Sequence, residues 1–383
     1  MNNHSPRKKV GIITILDVAN FGSMLQAYAL ALTIEQLGFE VFFINYWRKA
    51  YRTSQKVRTF LTDRSLGNLI RRTVYATSAL LVYATLRRRL RRFVTHRFHF
   101  TRPYHDIKAL RQSPPRADCY VSGSDQVWNS VHNGGYDPAF FLDFGHARRI
   151  AYAASSGIEA FPENELPSII QRLKTFQALS VRESQTTSYF HQIGFPKCEH
   201  VLDPSLLVRA DNWRKIGRKA KIDIEDGTYL LVYSVERFNN DFIFEQARRI
   251  AHARKLKMYV VCSTYPVKAK DYGFDRIFAM ADVTTFLRLI DGAAFVVASS
   301  FHGTAFALNF NKDFITITPD RFNIRMESLV QLFDVAHRIV TQDFVNPDML
   351  PSIDYAGVNS KLANERKKSL TFLQKALQGN IPS

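Results

Sequence analysis

Cysteine is scarce: Cys119, Cys198 and Cys262 are the only three in 383 residues. They stand far apart in no paired spacing, which argues against a disulfide framework or a cysteine zinc site and fits a reducing cytoplasm. Long apolar runs are missing too. The longest, Thr73 to Leu86, is interrupted by Thr77, Ser78 and Thr85 and falls short of the roughly 20 residues that a membrane-spanning helix needs. Near the start, the apolar run Val10 to Leu16 follows a polar, basic stretch and is too short for a signal-peptide core with a cleavage site, so no export is expected. Several signatures are absent as well. There is no P-loop, no His-Glu-x-x-His and no Gly-x-Ser-x-Gly elbow, and Asp17-Val18-Ala19-Asn20-Phe21-Gly22 stands where a glycine triplet would follow the first strand. ATP hydrolysis, zinc proteolysis and dinucleotide binding of the glycine-triplet kind therefore lack support. No His, Asp and Glu cluster shows metal-ligand spacing, and neither a metal nor a cofactor is expected.

Acidic residues are outnumbered, 34 against 52 Lys and Arg, for a formal charge of +18. The imbalance is local. Between Arg48 and Arg102 there are 15 basic residues and one acid, Asp63, so +14 of the +18 lies in this stretch. A basic helical excursion of this kind suits either a solvated face or a docking surface for anionic lipid, with Arg87-Arg88-Arg89-Leu90-Arg91-Arg92 beside Leu80 to Tyr83 having an interfacial composition. No nucleic-acid module is recognisable, and no nucleic-acid partner is expected.

What remains is ordinary globular composition, 46% hydrophobic and 22% charged, in a chain of about two domain lengths. Apolar runs at Val10 to Leu16 and Glu40 to Trp47 flank a helical pattern carrying Leu25, Tyr28 and Leu32. This predicts a βαβ unit, with Ser23 and Gln26 as a capping box and Gly38 at the helix end. Further strands are expected at Asp118 to Ser122, Arg149 to Ser155, Leu179 to Arg182 and Glu199 to Leu202, with helices at Glu163 to Phe176 and Ser184 to Gln192. A second alternation has strands at Thr228 to Val235, Lys257 to Ser263, Phe295 to Ala298 and Phe314 to Ile317, and helices at Asn240 to Lys255, Thr284 to Asp291 and Gly303 to Phe310. The expected domains are thus 1–208, holding the basic excursion 48–102, and 209–350, with a terminal helix in 351–383. Two doubly wound, Rossmann-like α/β domains with ligand loops at their strand ends would face a cleft.

Three loops carry the candidate chemistry. Ser299-Ser300-Phe301-His302-Gly303-Thr304 follows a strand and opens a helix, where backbone donors suit phosphate or carboxylate and His302 suits proton donation. The alternative is a serine cap with His302 packed at the domain edge. Gly123-Ser124-Asp125-Gln126-Val127-Trp128-Asn129 gathers hydroxyl, carboxylate and amide groups suited to sugar hydroxyls, with Asp125 as proton acceptor; Trp128 reads better as core. Arg182, at a strand end, is either an anion clamp or half of a structural pair with Glu183.

These segments, with Asn20-Phe21-Gly22-Ser23, Leu25-Gln26-Ala27-Tyr28-Ala29-Leu30, Ser180-Val181-Arg182-Glu183 and Leu202-Asp203-Pro204, together resemble the polysaccharide pyruvyl transferase family in order and spacing over nearly the whole chain. Ala294 and Ala298 stand where acidic or polar residues are common. The resemblance implies a fold similar to the two-domain glycosyltransferase B type and transfer of the pyruvyl group of phosphoenolpyruvate onto two hydroxyls of a sugar, forming a cyclic ketal. It makes His302 the acid and Arg182 an anion clamp, while Asp125 as base rests on its placement alone. Asn20, Gly22, Ser124, Gln126, Ser300, Gly303 and Thr304 are expected to contact substrate. The partners implied are phosphoenolpyruvate and a sugar acceptor, free or lipid-linked, with peripheral contact of 48–102 to an anionic membrane at the inner face of the plasma membrane. Two other readings share the fold: a glycosyltransferase using a nucleotide sugar, and a non-catalytic carbohydrate- or membrane-binding protein.

Overall fold

The structure, a computed structural model, describes residues 7–48, 69–235, 240–262, 271–318, 324–341, 343 and 346–380. Residues 49–68 of the basic excursion lie outside the described residues. The chain divides into two units, 1–204 with 370–383, and 205–369. The division falls four residues before the expected 208 because the segment after Pro204 bonds into the second unit: Trp213 Nε1 donates to the Ser205 carbonyl at 3.0 Å and Asn309 Nδ2 to that of Val208 at 3.0 Å.

The first unit is built on a parallel sheet of β1 (Lys9–Ile13), β2 (Glu40–Phe43), β3 (His99–Phe100), β4 (Cys119–Ser122) and β5 (Arg148–Ala151), in the order β3-β2-β1-β4-β5. A parallel pair, β6 (Ser180–Val181) and β7 (Glu199–His200), follows. Helix α1 (Phe21–Gln36) joins β1 to β2. Its cap is Asn20, whose side-chain oxygen accepts from the Ser23 amide at 3.2 Å, so the expected Ser23–Gln26 capping box is displaced by three residues. The reason is geometric: Ser23 already lies in the first turn, so its amide is among those needing an acceptor and its hydroxyl is released for another partner. Gly38 ends the segment with φ +94°, a left-handed conformation that glycine adopts without a Cβ penalty.

Helix α1 is buried on nearly every side, which requires cover beyond the sheet. Helix α2 (Leu69–Thr95) provides part of it, burying Leu86, Leu90 and Val94 at helical spacing and placing Phe93 4.7 Å from Tyr28. Residues 370–383 also belong to this unit: Tyr152 packs near Phe372, and Arg148 Nε donates to the Ala376 carbonyl at 2.9 Å.

The second unit has a six-stranded parallel sheet of β8 (Tyr229–Tyr233), β9 (Lys257–Cys262), β10 (Arg276–Ala279), β11 (Phe295–Ala298), β12 (Asp313–Ile317) and β13 (Ile339–Val340), in the order β10-β9-β8-β11-β12-β13. Its core joins Leu230, Val232, Val260, Val297 and Ile315 to Ile243, Phe244 and Ala247 of the helix Asn240–Ala253 between β8 and β9. The terminal helix, Tyr355–Gln378, begins in this unit, and its residues from Leu370 onward cluster with the first. Among the described residues no helix is long and apolar enough to cross a membrane.

Candidate active site

In each sheet the strand order reverses once, between β1 and β4 in the first unit and between β8 and β11 in the second. Loops leaving the carboxyl ends of strands at such a reversal diverge to opposite faces and leave a crevice for ligands. The loops after β1, β4 and β11 are the ones that carry the sequence motifs.

At the first reversal the loops are tied together. Thr14 Oγ1 donates to the Ser124 carbonyl at 2.7 Å, and Gln26 Nε2 donates to Thr14 Oγ1 and to the Ser23 carbonyl, each at 3.0 Å. Ser23 Oγ donates to Asp125 Oδ2 at 2.6 Å, while the Gln126 amide donates to Asp125 Oδ1 at 2.9 Å. Asp125 holds φ at +76°, in the left-handed region where only short polar side chains and glycine are common. The loop after β1 is braced from behind, since Arg48 forms a buried ion pair with Asp17 at 2.6 Å and donates to Asn133 Oδ1 at 2.5 Å.

Arg182 joins the same network. Its Nη1 donates to Asp203 Oδ2 and its Nε to Glu183 Oε1, at 2.9 and 3.1 Å; Ser124 Oγ also donates to Asp203 Oδ2, and Ser155 Oγ to Glu183 Oε1. The Arg182 side chain is 1% exposed. Burial alone would lower the guanidinium's pKa, but Glu183, Asp203 and Asp125 outweigh it and hold it above its ordinary value. The structural pair with Glu183, one of the two readings open in the sequence, is therefore present, and Asp203 extends it. Sequence reasoning singled out Leu202-Asp203-Pro204 without giving Asp203 a role; an acid beside proline after a strand was the available signal.

The remaining residues of this unit fall into place around the network. Gln126 Oε1 accepts from Asn129 Nδ2 at 2.8 Å, Gly22 sits in the first turn of α1, and Asn20 is its cap. Trp128 is core, as the sequence suggested: it stacks on Phe141 and Phe190 at 5.4 and 5.7 Å, and its Nε1 donates to the Phe140 carbonyl. The thiols are buried, which pushes Cys119 and Cys262 up to about 12 and Cys198 up as well, away from nucleophilic chemistry.

The second reversal differs in kind. Helix α3, Phe301–Asn309, starts directly after β11, and Ser300 occupies its cap position without making a side-chain cap bond. Ser299 Oγ instead contacts Ser234 Oγ at 3.2 Å and accepts from the Val235 amide at 3.3 Å, tying the ends of β11 and β8. The serine cap offered as the alternative reading is thus not formed. His302 lies buried in the first turn beside Phe301. Gly303 permits the close approach of this turn to the sheet, because a Cβ there would stand 2.9 Å from both the Ala298 Cβ and the Tyr233 ring. Thr304 is buried, with its hydroxyl 2.8 Å from Thr316 Oγ1 and 3.1 Å from the Ser300 carbonyl.

The model of the family described as polysaccharide pyruvyl transferase matches residues 20–321. The chain belongs to this family. The matched span of the pyruvyl transferase family runs from the Asn20 cap past Thr304 and so includes every motif residue placed above; membership supports a transferase of polysaccharide biosynthesis. No curated protein sequence matches the chain. Among solved structures it is similar to the UDP-GlcNAc 2-epimerase of Methanocaldococcus jannaschii in complex with UDP-GlcNAc and UDP, at 14% identity over 97% of this chain and 99% of that one, with a TM-score of 0.50. The UDP-GlcNAc 2-epimerase of Neisseria meningitidis gives 10% identity, 97% and 100% coverage and a TM-score of 0.49. The E. coli heptosyltransferase WaaC gives 12%, 93%, 99% and 0.40. At such identity the likeness to the M. jannaschii enzyme speaks to the fold alone, a doubly wound two-domain α/β fold of the glycosyltransferase B kind.

Proposed function

We propose that the chain moves the pyruvyl group of phosphoenolpyruvate onto two hydroxyls of a sugar, releasing phosphate and closing a cyclic ketal. The observation that carries this reading is the start of α3, where a buried histidine lies in the first turn of a helix that opens at the strand reversal and whose cap serine makes no side-chain bond to the first-turn amides. Such amides, at the positive end of the helix dipole, suit the donor's phosphate or carboxylate. His302 gives a proton to the methylene carbon of the donor, which becomes the methyl group, and positive charge develops at the adjacent carbon. A sugar hydroxyl adds there and its proton passes to Asp125. Phosphate then leaves with the C–O bond electrons, and the second hydroxyl adds at the same carbon to close the ring, its proton passing to the departing phosphate. Arg182 enters the proposal through its carboxylate partners, holding Glu183, Asp203 and the loop of Asp125 in position.

The test is phosphate release from phosphoenolpyruvate across a panel of free and lipid-linked saccharides. Saccharide-dependent release with a pyruvylated product is expected. Because the M. jannaschii epimerase is described with UDP-GlcNAc and UDP, nucleotide sugars belong in the same panel. Turnover of a nucleotide sugar with no effect of phosphoenolpyruvate would instead make the chain a glycosyltransferase, and thermal stabilisation by a saccharide without any turnover would make it a binding protein.

A further inference from the structure

Helix α2 has two faces, and packing accounts for one of them. Its 27 residues span about 40 Å and include seven arginines and no Asp or Glu. Arg87 and Arg91 are used internally: their guanidinium carbons lie 4.7 and 4.9 Å from the Trp47 ring centre, and Arg91 Nη2 donates to Asn45 Oδ1 at 2.6 Å. On the other side Leu81, Val82, Thr85, Arg88, Arg89 and Arg92 form a continuous exposed face at spacings of three, four and seven residues. Leu81 is 65% exposed and Val82 37%. The helix dipole explains a cation in the last turn, which accounts for Arg92 and not for Arg88. The helix carries no acid, so it offers no carboxylate three or four positions from Arg88 or Arg92.

We propose that this face docks the protein on an anionic lipid bilayer, with Arg88, Arg89 and Arg92 at the headgroups and Leu81 and Val82 entering the boundary of the acyl chains. The pairing of exposed aliphatic side chains with guanidinium groups on one stripe is what selects lipid. A nucleic-acid surface would use the cations but would gain nothing from leucine and valine, whereas a bilayer interface rewards both apolar insertion and charge. The proposal goes beyond the reaction and needs no substrate for its test.

The experiment is co-sedimentation of the full chain with vesicles of phosphatidylglycerol mixed with phosphatidylcholine and with vesicles of phosphatidylcholine alone. Binding is expected to the anionic vesicles, and raised salt should weaken it. The triple variant Arg88→Gln, Arg89→Gln, Arg92→Gln should bind about a hundredfold more weakly. The pair Leu81→Ser, Val82→Ser should weaken binding independently of salt. Equal binding to both vesicle types, or full binding by the triple variant with an unchanged unfolding temperature, would overturn the proposal. So would binding of a DNA or RNA duplex as tight as that of the vesicles and equally dependent on the three arginines. Turnover of a soluble acceptor should survive the triple substitution. Absence of turnover in the wild type would count against the proposed reaction and leave the vesicle result standing.

Discussion

At the strand ends of the first unit charge is met by charge, whereas at the corresponding point of the second unit a helix begins at Ser300, whose side chain makes no cap bond. Arg182 is enclosed by Glu183 and Asp203, and Asp125 is held by Ser23 and by its own loop amide. In the second unit Ser299 turns away to Ser234, and His302 stands in a first turn without a serine cap. The difference separates residues that fix geometry from those that the proposed reaction employs. Buried ion pairs are costly to break and contribute shape, while a helix start is a polarity that a bound anion can satisfy.

Three substitutions test that separation. His302→Ala should lower turnover by about 10² to 10⁴-fold, the usual scale of general acid catalysis, with little change in unfolding midpoint. Steady-state phosphate release and denaturant unfolding on one preparation check both halves, and a near-normal rate in the folded variant removes His302 from the mechanism. Asp203→Ala should act mainly on stability, with a smaller loss of turnover through the Asp125 loop that Ser124 ties to it. Removing one partner of a buried pair leaves the guanidinium uncompensated and costs about 3 to 5 kcal/mol, read as a lower urea midpoint. An unchanged midpoint would mean that the first unit does not depend on this pair. Gly303→Ala is the mildest. Alanine favours a helix, but its Cβ would meet Ala298 and Tyr233 at 2.9 Å, so overpacking of about 1 to 3 kcal/mol should outweigh the gain of about 1 kcal/mol. The displaced turn should lower activity more than stability, as shown by comparing kcat with the unfolding midpoint.

Strands and helices that bury apolar side chains were legible in the sequence. The strand Phe295–Ala298 and the helix Ser184–Gln192 have the expected bounds. The strands that escaped notice, His99–Phe100, Arg276–Ala279 and Ile339–Val340, are short, lie at sheet edges and are only partly buried, so they leave little alternating pattern to read. The displaced cap shows a second limit. Both Asn20 and Ser23 are good cap residues, and only the backbone turn decides between them; once Asn20 takes the role, the Ser23 hydroxyl becomes available to Asp125. Likewise the left-handed backbone of Asp125 leaves no trace in residue order, because its cause is a set of partners more than a hundred positions away along the chain or on other strands. Motif spacing pointed to Arg182 and to Asp203 separately. Their bond to each other is a fact of tertiary structure.

The return of residues 370–383 to the first unit bears on how the chain is made. Residues 1–204 leave the ribosome well before the segment carrying Phe372 and Ala376, which pack against Tyr152 and Arg148. At ordinary elongation rates the interval is about 10 to 30 s. Over that time the early half of the nascent chain stands without its last layer, with the apolar surface around Tyr152 open to chaperones, while the second unit is still being synthesised. The half begun first is thus completed last.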